Sequence, residues 1–311
     1  MLSRRNVRVK VMQRLYSLNQ DKELSFNEVL KAFHNSINEA FQLYLLNLAC
    51  LIEVCSMAEE DAKTRLSKHI KSPEDRAFTD KLYSNSLIHS LVQNKELQKD
   101  FKNLGLDYAA DKDMFRKIYK EFSKEAVYSE YIQNPNTENE QHVEILLELY
   151  RCCRKNSIFN EIMDDRFAGW TDDKSLVIGI LKKTLKELPA EGKFYQTYRA
   201  DDDTVYSFGE FLIKKTYEES QQLEELITPF LENWDSDRLA LVDMILIKMA
   251  IIELKYFTSI PTKVTLNEYV ELSKMYSTDK SKEFVNGVLD KILKDLQDKG
   301  LVQKEGRGLV D

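Results

Sequence analysis

Apolar residues recur along most of this chain at steps of three and four, the spacing of one helix face. The longest such run takes in Val29, Leu30, Phe33, Ile37, Phe41, Tyr44, Leu45, Leu48 and Ile52. It predicts a helix from Ser25 to near Met57, about 50 Å long at 1.5 Å per residue. Ser25 and Glu28 have the spacing of a capping box, in which hydroxyl and carboxylate satisfy orphan amides of the first turn. Ser72-Pro73 sets proline at a first helical position, where its missing N–H costs little. Thr137 with Glu140 and Ser207 with Glu210 repeat the start signal, the former before Val143, Leu146, Leu147 and Tyr150. Near the N-terminus Val7, Val11, Leu15 and Leu18 form one apolar stripe. The expectation is an all-α protein.

Composition agrees. Of 311 residues, 9 are Gly and 5 are Pro, far below averages of roughly 7% and 5%. Strand-rich folds consume both in turns, and nucleotide-binding α/β folds need glycine-rich loops. The charge-free stretch from Ala40 to Ile52 has thirteen residues, short of the ~20 that span a bilayer, and reads as buried core. Phe33, Phe41, Tyr44 and Phe122 read as core for the same reason. The N-terminal segment is positive but lacks the apolar region and small-residue cleavage site of a secretory signal. Cys50, Cys55, Cys152 and Cys153 lack zinc-ligand spacing, and the adjacent pair is poorly placed for a relaxed disulfide. Reduced, buried thiols in a cytoplasmic protein are expected.

Charge is distributed unevenly. Residues 1–20 carry Arg4, Arg5, Arg8, Lys10 and Arg14 and no acid, for +5. Residues 21–203 sum to −7 and residues 204–311 to −5, so the net −7 conceals a cationic head on an acidic body. Asp201-Asp202-Asp203 marks the strongest boundary, and Asn134-Pro135-Asn136 breaks the middle region.

Little points to catalysis. There is no phosphate-binding glycine loop, HExxH or CxxC, and His34, His69, His89 and His142 fall far apart. The carboxylate pairs of an acidic helical protein read as solvated faces. The head offers more. At 100° per residue, Arg5 and Tyr16 project within about 20° of one another, with Gln13 about 60° further round. Arg8 falls between that face and the apolar stripe. Guanidinium groups, an amide and an aromatic ring on one face suit single-stranded RNA. A helix of solvated arginines with an amphipathic tyrosine fits the same stretch equally well.

Three C-terminal stretches are more specific: DSDRLALVDMILIKMAIIEL at 235–254, IPTKVTLNEYVELSK at 260–274 and DKSKEFVNGVLDKIL at 279–293. Their apolar positions predict helices, with Val264, Leu266, Tyr269, Val270 and Leu272 inward and a final helix capped by Thr278, Asp279 or Ser281. Asn286-Gly287 inside that helix reads as a small residue for close packing. Together with RRNVRVKVMQRLY at the head, these stretches resemble the NusB family of bacterial transcription antitermination factors. The resemblance covers residues 1–20 and about 204–311, and residues 21–203 look like a large helical insertion of undefined role.

The resemblance implies a non-catalytic, cofactor-free, helical RNA-binding protein. It implies binding to the boxA element of ribosomal RNA leaders together with NusE, a small-subunit ribosomal protein, in an RNA polymerase antitermination complex away from membranes. Family RNA contacts map onto Arg4, Arg5, Arg8, Gln13 and Tyr16, and onto Asp243, Tyr276, Lys280, Lys282, Glu283 and Phe284. Glu283 replaces a common lysine and Lys280 a common acid, which shifts the expected footprint. Phe284 also fits the core. Family members occur as monomers or as dimers whose contact covers the RNA face. A second reading makes the chain a protein–protein scaffold in which the insertion is the working part. A third, an RNA methyltransferase with a NusB-like leader, needs a glycine-rich cofactor loop and a nucleophilic cysteine. The eighteen residues after Leu293 are too few to supply them.

Overall fold

The computed structural model describes residues 2–105, 108–231 and 240–309, with only the backbone described for 108–111 and 307. Residues 235–239 of the first C-terminal stretch therefore lie outside the described residues. Among the described residues the regular structure is helical, with no strand. In chain order the α-helices are α1 (Arg4–Gln20), α2 (Phe26–Leu66), α3 (Pro73–Ala77), α4 (Lys81–Ser84), α5 (Ser86–Gln93), α6 (Lys95–Asn103), α7 (Tyr108–Phe122) and α8 (Ala126–Gln133). They continue with α9 (Asn139–Lys155), α10 (Ser157–Arg166), α11 (Trp170–Glu187), α12 (Phe211–Glu218), α13 (Ser220–Ile227), α14 (Leu241–Tyr256), α15 (Thr262–Tyr276) and α16 (Ser281–Asp298). The all-α expectation holds.

The chain forms two compact units: Asn38–Arg199, and Leu2–Ile37 with Ala200 onward. The boundary falls inside α2, so the first turns of that helix belong with the chain ends. Helix α2 has 41 residues, about 60 Å. Ser25 and Glu28 cap it as expected, the Ser25 N–H and hydroxyl both donating to Glu28 Oε2 at 2.9 and 2.6 Å. It is long and apolar enough to cross a membrane, but 83% of its most apolar stretch is buried inside the protein, the mark of a core helix.

In the Asn38–Arg199 unit, α9 packs against α5, α7, α8, α10 and α11. Its core includes Phe41, Tyr44, Phe122, Tyr150, Trp170 and Leu181. Core hydroxyls there find partners: Tyr150 donates to Asn47 Oδ1 at 2.9 Å, and Tyr44 pairs with Thr184 at 2.9 Å. Cys50, Cys55 and Cys153 are buried and Cys152 is half-buried, with no disulfide among the four. Burial pushes the Cys55 and Cys153 thiols up, away from reactive thiolate. The start at Thr137 is displaced: Glu138 stands at the cap and its box partner is Gln141.

In the other unit α14 is the hub, packed against α1, α12, α13, α15 and α16. Its sequence is apolar on every side, as a helix enclosed by neighbours must be. Ile245, Leu246, Ile247, Met249, Ala250, Ile251, Ile252 and Leu254 are all buried. Ser207 and Glu210 do not start a helix. They lie within a π-helical stretch, Asp203–Glu210, that continues directly into α12. The start is at Asp201, whose Oδ1 accepts from the Thr204 N–H at 2.7 Å. A Cβ at Gly209 would sit 2.6 Å from Phe33 Cζ and 2.7 Å from Val7 Cγ1, so only glycine lets this stretch close on α1 and α2. Gly287 has no neighbour within 4 Å of such a Cβ, so the close-packing expectation fails there.

Candidate RNA interface

Helix α1 begins with a capping box: Ser3 Oγ accepts from the Asn6 N–H, and Asn6 Oδ1 accepts from the Ser3 N–H at 3.2 Å. Its next turns enter the bundle. All six residues from Val7 to Met12 are buried, Val9 and Lys10 included. The expected continuous exposed face is therefore interrupted, with Arg4 and Arg5 at one end and Tyr16 at the other.

Arg8 belongs to the enclosed part. Its Nε and Nη2 donate to the two oxygens of Glu253 at 2.8 and 2.7 Å, and its Nη1 reaches Glu268 at 3.4 Å. Its guanidinium carbon lies 5.2 Å from the Phe208 ring centre and 5.7 Å from that of Tyr269. Burial alone would lower the Arg8 pKa, but the hydrogen bonds and charge of Glu253 outweigh it and raise it further. Glu253, itself fully buried, also accepts from Thr265 Oγ1 at 2.8 Å and Tyr269 OH at 3.1 Å. Each carboxylate oxygen thus has two donors, and one ion pair ties α1 to α14 and α15. Arg8, which the helical wheel sets between the exposed face and the apolar stripe, is drawn inside, where Glu253 and Glu268 engage its guanidinium.

The exposed arginines are held loosely. Arg5 lies 3.9 Å from Glu268 and 3.9 Å from Met275 Sδ, with 43% of its side chain exposed. Arg4 lies 3.7 Å from Asp203, with its guanidinium carbon 5.4 Å from the Phe208 ring centre. Ion pairs of this length at a surface contribute ~0–1 kcal/mol, so a phosphate can replace the carboxylate. Tyr16 is exposed, its hydroxyl accepting from Gln20 Nε2 at 3.2 Å, and Gln13 is half-buried.

The remaining sequence-derived positions gather where α15 ends and α16 begins. Lys280 and Lys282 are exposed, as is Glu283, and Tyr276 is half-buried. The Arg5–Met275 contact brings the tip of α1 to this corner. Two positions are interior. Phe284 is 4% exposed and lies in the core. Asp243 is buried, its Oδ2 accepting from Ser281 Oγ at 2.6 Å while Oδ1 has no hydrogen-bond partner. Burial pushes the Asp243 carboxyl up, and hydrogen bonds from Ser281 and Ser277 pull it partly back. Helix α16 has Lys280 at its cap and no capping side chain, so none of Thr278, Asp279 and Ser281 caps it. Sequence reasoning missed Glu253 and Phe208. The signal for Glu253 was present, a lone acid at the end of an otherwise apolar run.

Among the described residues no His, Cys, Asp and Glu side chains cluster as metal ligands. His34 pairs with Glu210 at 2.7 Å and His142 Nδ1 with Tyr131 OH at 2.8 Å, both built into helix packing.

The sequence profile of the NusB family matches residues 180–294. That span runs from within α11 into α16 and leaves α1 outside. The "Transcription antitermination protein NusB" of Salinibacter ruber is 41% identical over 110 residues, 35% of this chain and 69% of the relative. The protein of the same title from Chloroherpeton thalassium is 41% identical over 100 residues, 32% of this chain and 47% of the relative. That from Natranaerobius thermophilus is 42% identical over 110 residues, 35% of this chain and 79% of the relative. No solved structure matches the chain. With most of the length of two such relatives reproduced at this identity, the chain belongs to the NusB family.

Proposed function

We propose that this protein is a non-catalytic, cytoplasmic RNA-binding factor of transcription antitermination. In this reading it binds boxA-type leader RNA of ribosomal RNA operons together with NusE and RNA polymerase. The two ends of the chain build the RNA-binding domain, and the helical block between them is an insertion with another role.

The observation that supports it best is the placement of α1. This helix lies outside the segment matched by the family profile, yet it packs on α14 and reaches α15 through Arg5. Arg4 and Arg5 at the tip of α1 and Lys280 and Lys282 around the start of α16 supply cations and Tyr276 a ring, the combination that captures phosphates and stacks bases. Arg8, Asp243 and Phe284 act from beneath that surface by holding its helices in place.

The test is a titration of boxA-type RNA, with and without NusE, across a range of salt. Replacing Arg4 and Arg5 by alanine should weaken binding. It should also reduce the slope of log K against log salt by about 1.4, or ~0.7 for each lost phosphate contact on a single strand. A variant that binds as tightly as wild type at every salt concentration sinks the reading.

A further inference from the structure

Val264 departs from the apolar pattern that predicts it inward: it is 43% exposed. It lies in an open groove of about 430 Å³ whose walls include Arg4, Arg5, Ile260, Pro261 and Glu268. Ligand pockets typically occupy ~300–1,000 Å³.

We propose that this groove receives one unstacked base of a bound single-stranded RNA, extending the RNA track past Arg5. The inference rests on the RNA-binding reading above. Val264 and the half-buried Pro261, backed by the buried Ile260, offer an apolar floor for a base face. Arg4 and Arg5 flank it with guanidinium groups that hold the adjoining phosphates. Arg8 closes the inner wall and is held there by Glu253 and Glu268, so it stiffens the groove. Glu268 does not oppose an anion strongly, because Arg8 at 3.4 Å and Arg5 at 3.9 Å offset its charge. Its carboxylate retains lone pairs for an N–H of the base edge. A second copy of the chain fits less well. A stable interface needs about 800 Å² on each partner with an apolar centre, whereas here a single exposed valine and a half-buried proline lie between arginines and an acid.

The experiment uses the full chain and two boxA-type oligonucleotides, one lengthened by a nucleotide at either end. In wild type the longer RNA should bind about tenfold tighter, the scale of one stacked base. Val264→Gln, a neutral change at an exposed site, should lose that increment and keep wild-type affinity for the shorter RNA. A 4-thiouridine at the added position should crosslink to the peptide containing Pro261 and Val264. The proposal is overturned if lengthening adds nothing, if the variant weakens both RNAs equally, or if the crosslink maps elsewhere. Sedimentation showing a wild-type dimer that Val264→Gln dissociates would assign the groove to self-association instead. If wild type binds neither RNA at low salt, the RNA-binding reading itself fails.

Discussion

Arg8 illustrates how the same side chain changes role with depth. On the surface it would be a phosphate ligand. Enclosed between Phe208 and Tyr269 and joined to Glu253, it holds three helices together. Removing one partner leaves a buried charge uncompensated, which typically costs about 3–5 kcal/mol. We therefore expect Arg8→Met or Glu253→Gln alone to destabilise by that amount in chemical denaturation. The double variant should lose clearly less than the sum of the two, the coupling being read from the complete mutant cycle. Asp243 carries a different signature. Its folded carboxyl is pushed up by burial, so folding favours its protonated form. The stability from that proton is fully present below the unfolded value of about 3.9 and is lost as pH rises through the higher folded value. Wild type should thus gain melting temperature relative to Asp243→Asn as the pH falls through that window. A difference independent of pH would remove Asp243 from this account.

Two glycines show what the elements demand of one another. In the π-helical stretch before α12, Gly209 touches Phe33 and Val7, and a methyl group has no room. Gly209→Ala should destabilise by about 1–3 kcal/mol through overpacking. Gly287 lies within α16 with open space around it. Gly287→Ala should stabilise by ~0.5–1 kcal/mol through helix propensity. Thermal melts of the two variants should therefore move in opposite directions. The sequence places Gly209 in the first turn of a helix and Gly287 inside one, but nothing local tells which of them is closely packed. The difference comes from the neighbour across the interface, which is also why Asn286-Gly287 misleads as a packing signal.

For the whole molecule, the net charge of −7 is a poor guide to RNA affinity. Screening limits exposed charges to a range of ~8 Å at physiological salt, so the local cations decide. Four exposed groups, Arg4, Arg5, Lys280 and Lys282, limit the salt slope for a single strand to about −3, at ~0.7 each. A markedly steeper measured slope would mean that cations elsewhere in the chain also meet RNA. Arg8 and Lys10, though part of the +5 head, are buried and do not count towards this limit.

Helical class, the long α2 with its capping box, the apolar α14 and the family resemblance are all legible in sequence, because each depends on local periodicity or on residues close in the chain. Phe284 is legible only as two alternatives, and Arg8 only as an arginine beside an apolar stripe. The tertiary structure decides such cases. A helical wheel specifies direction around an axis, but not how many neighbours enclose that axis. Helix α1 is covered through a stretch where the wheel shows an open side, while α15 leaves Val264 uncovered where the pattern turns it inward. The boundary inside α2 escapes the sequence for a related reason: one unbroken helix can serve two cores, and only contacts far apart in the chain reveal where one core ends.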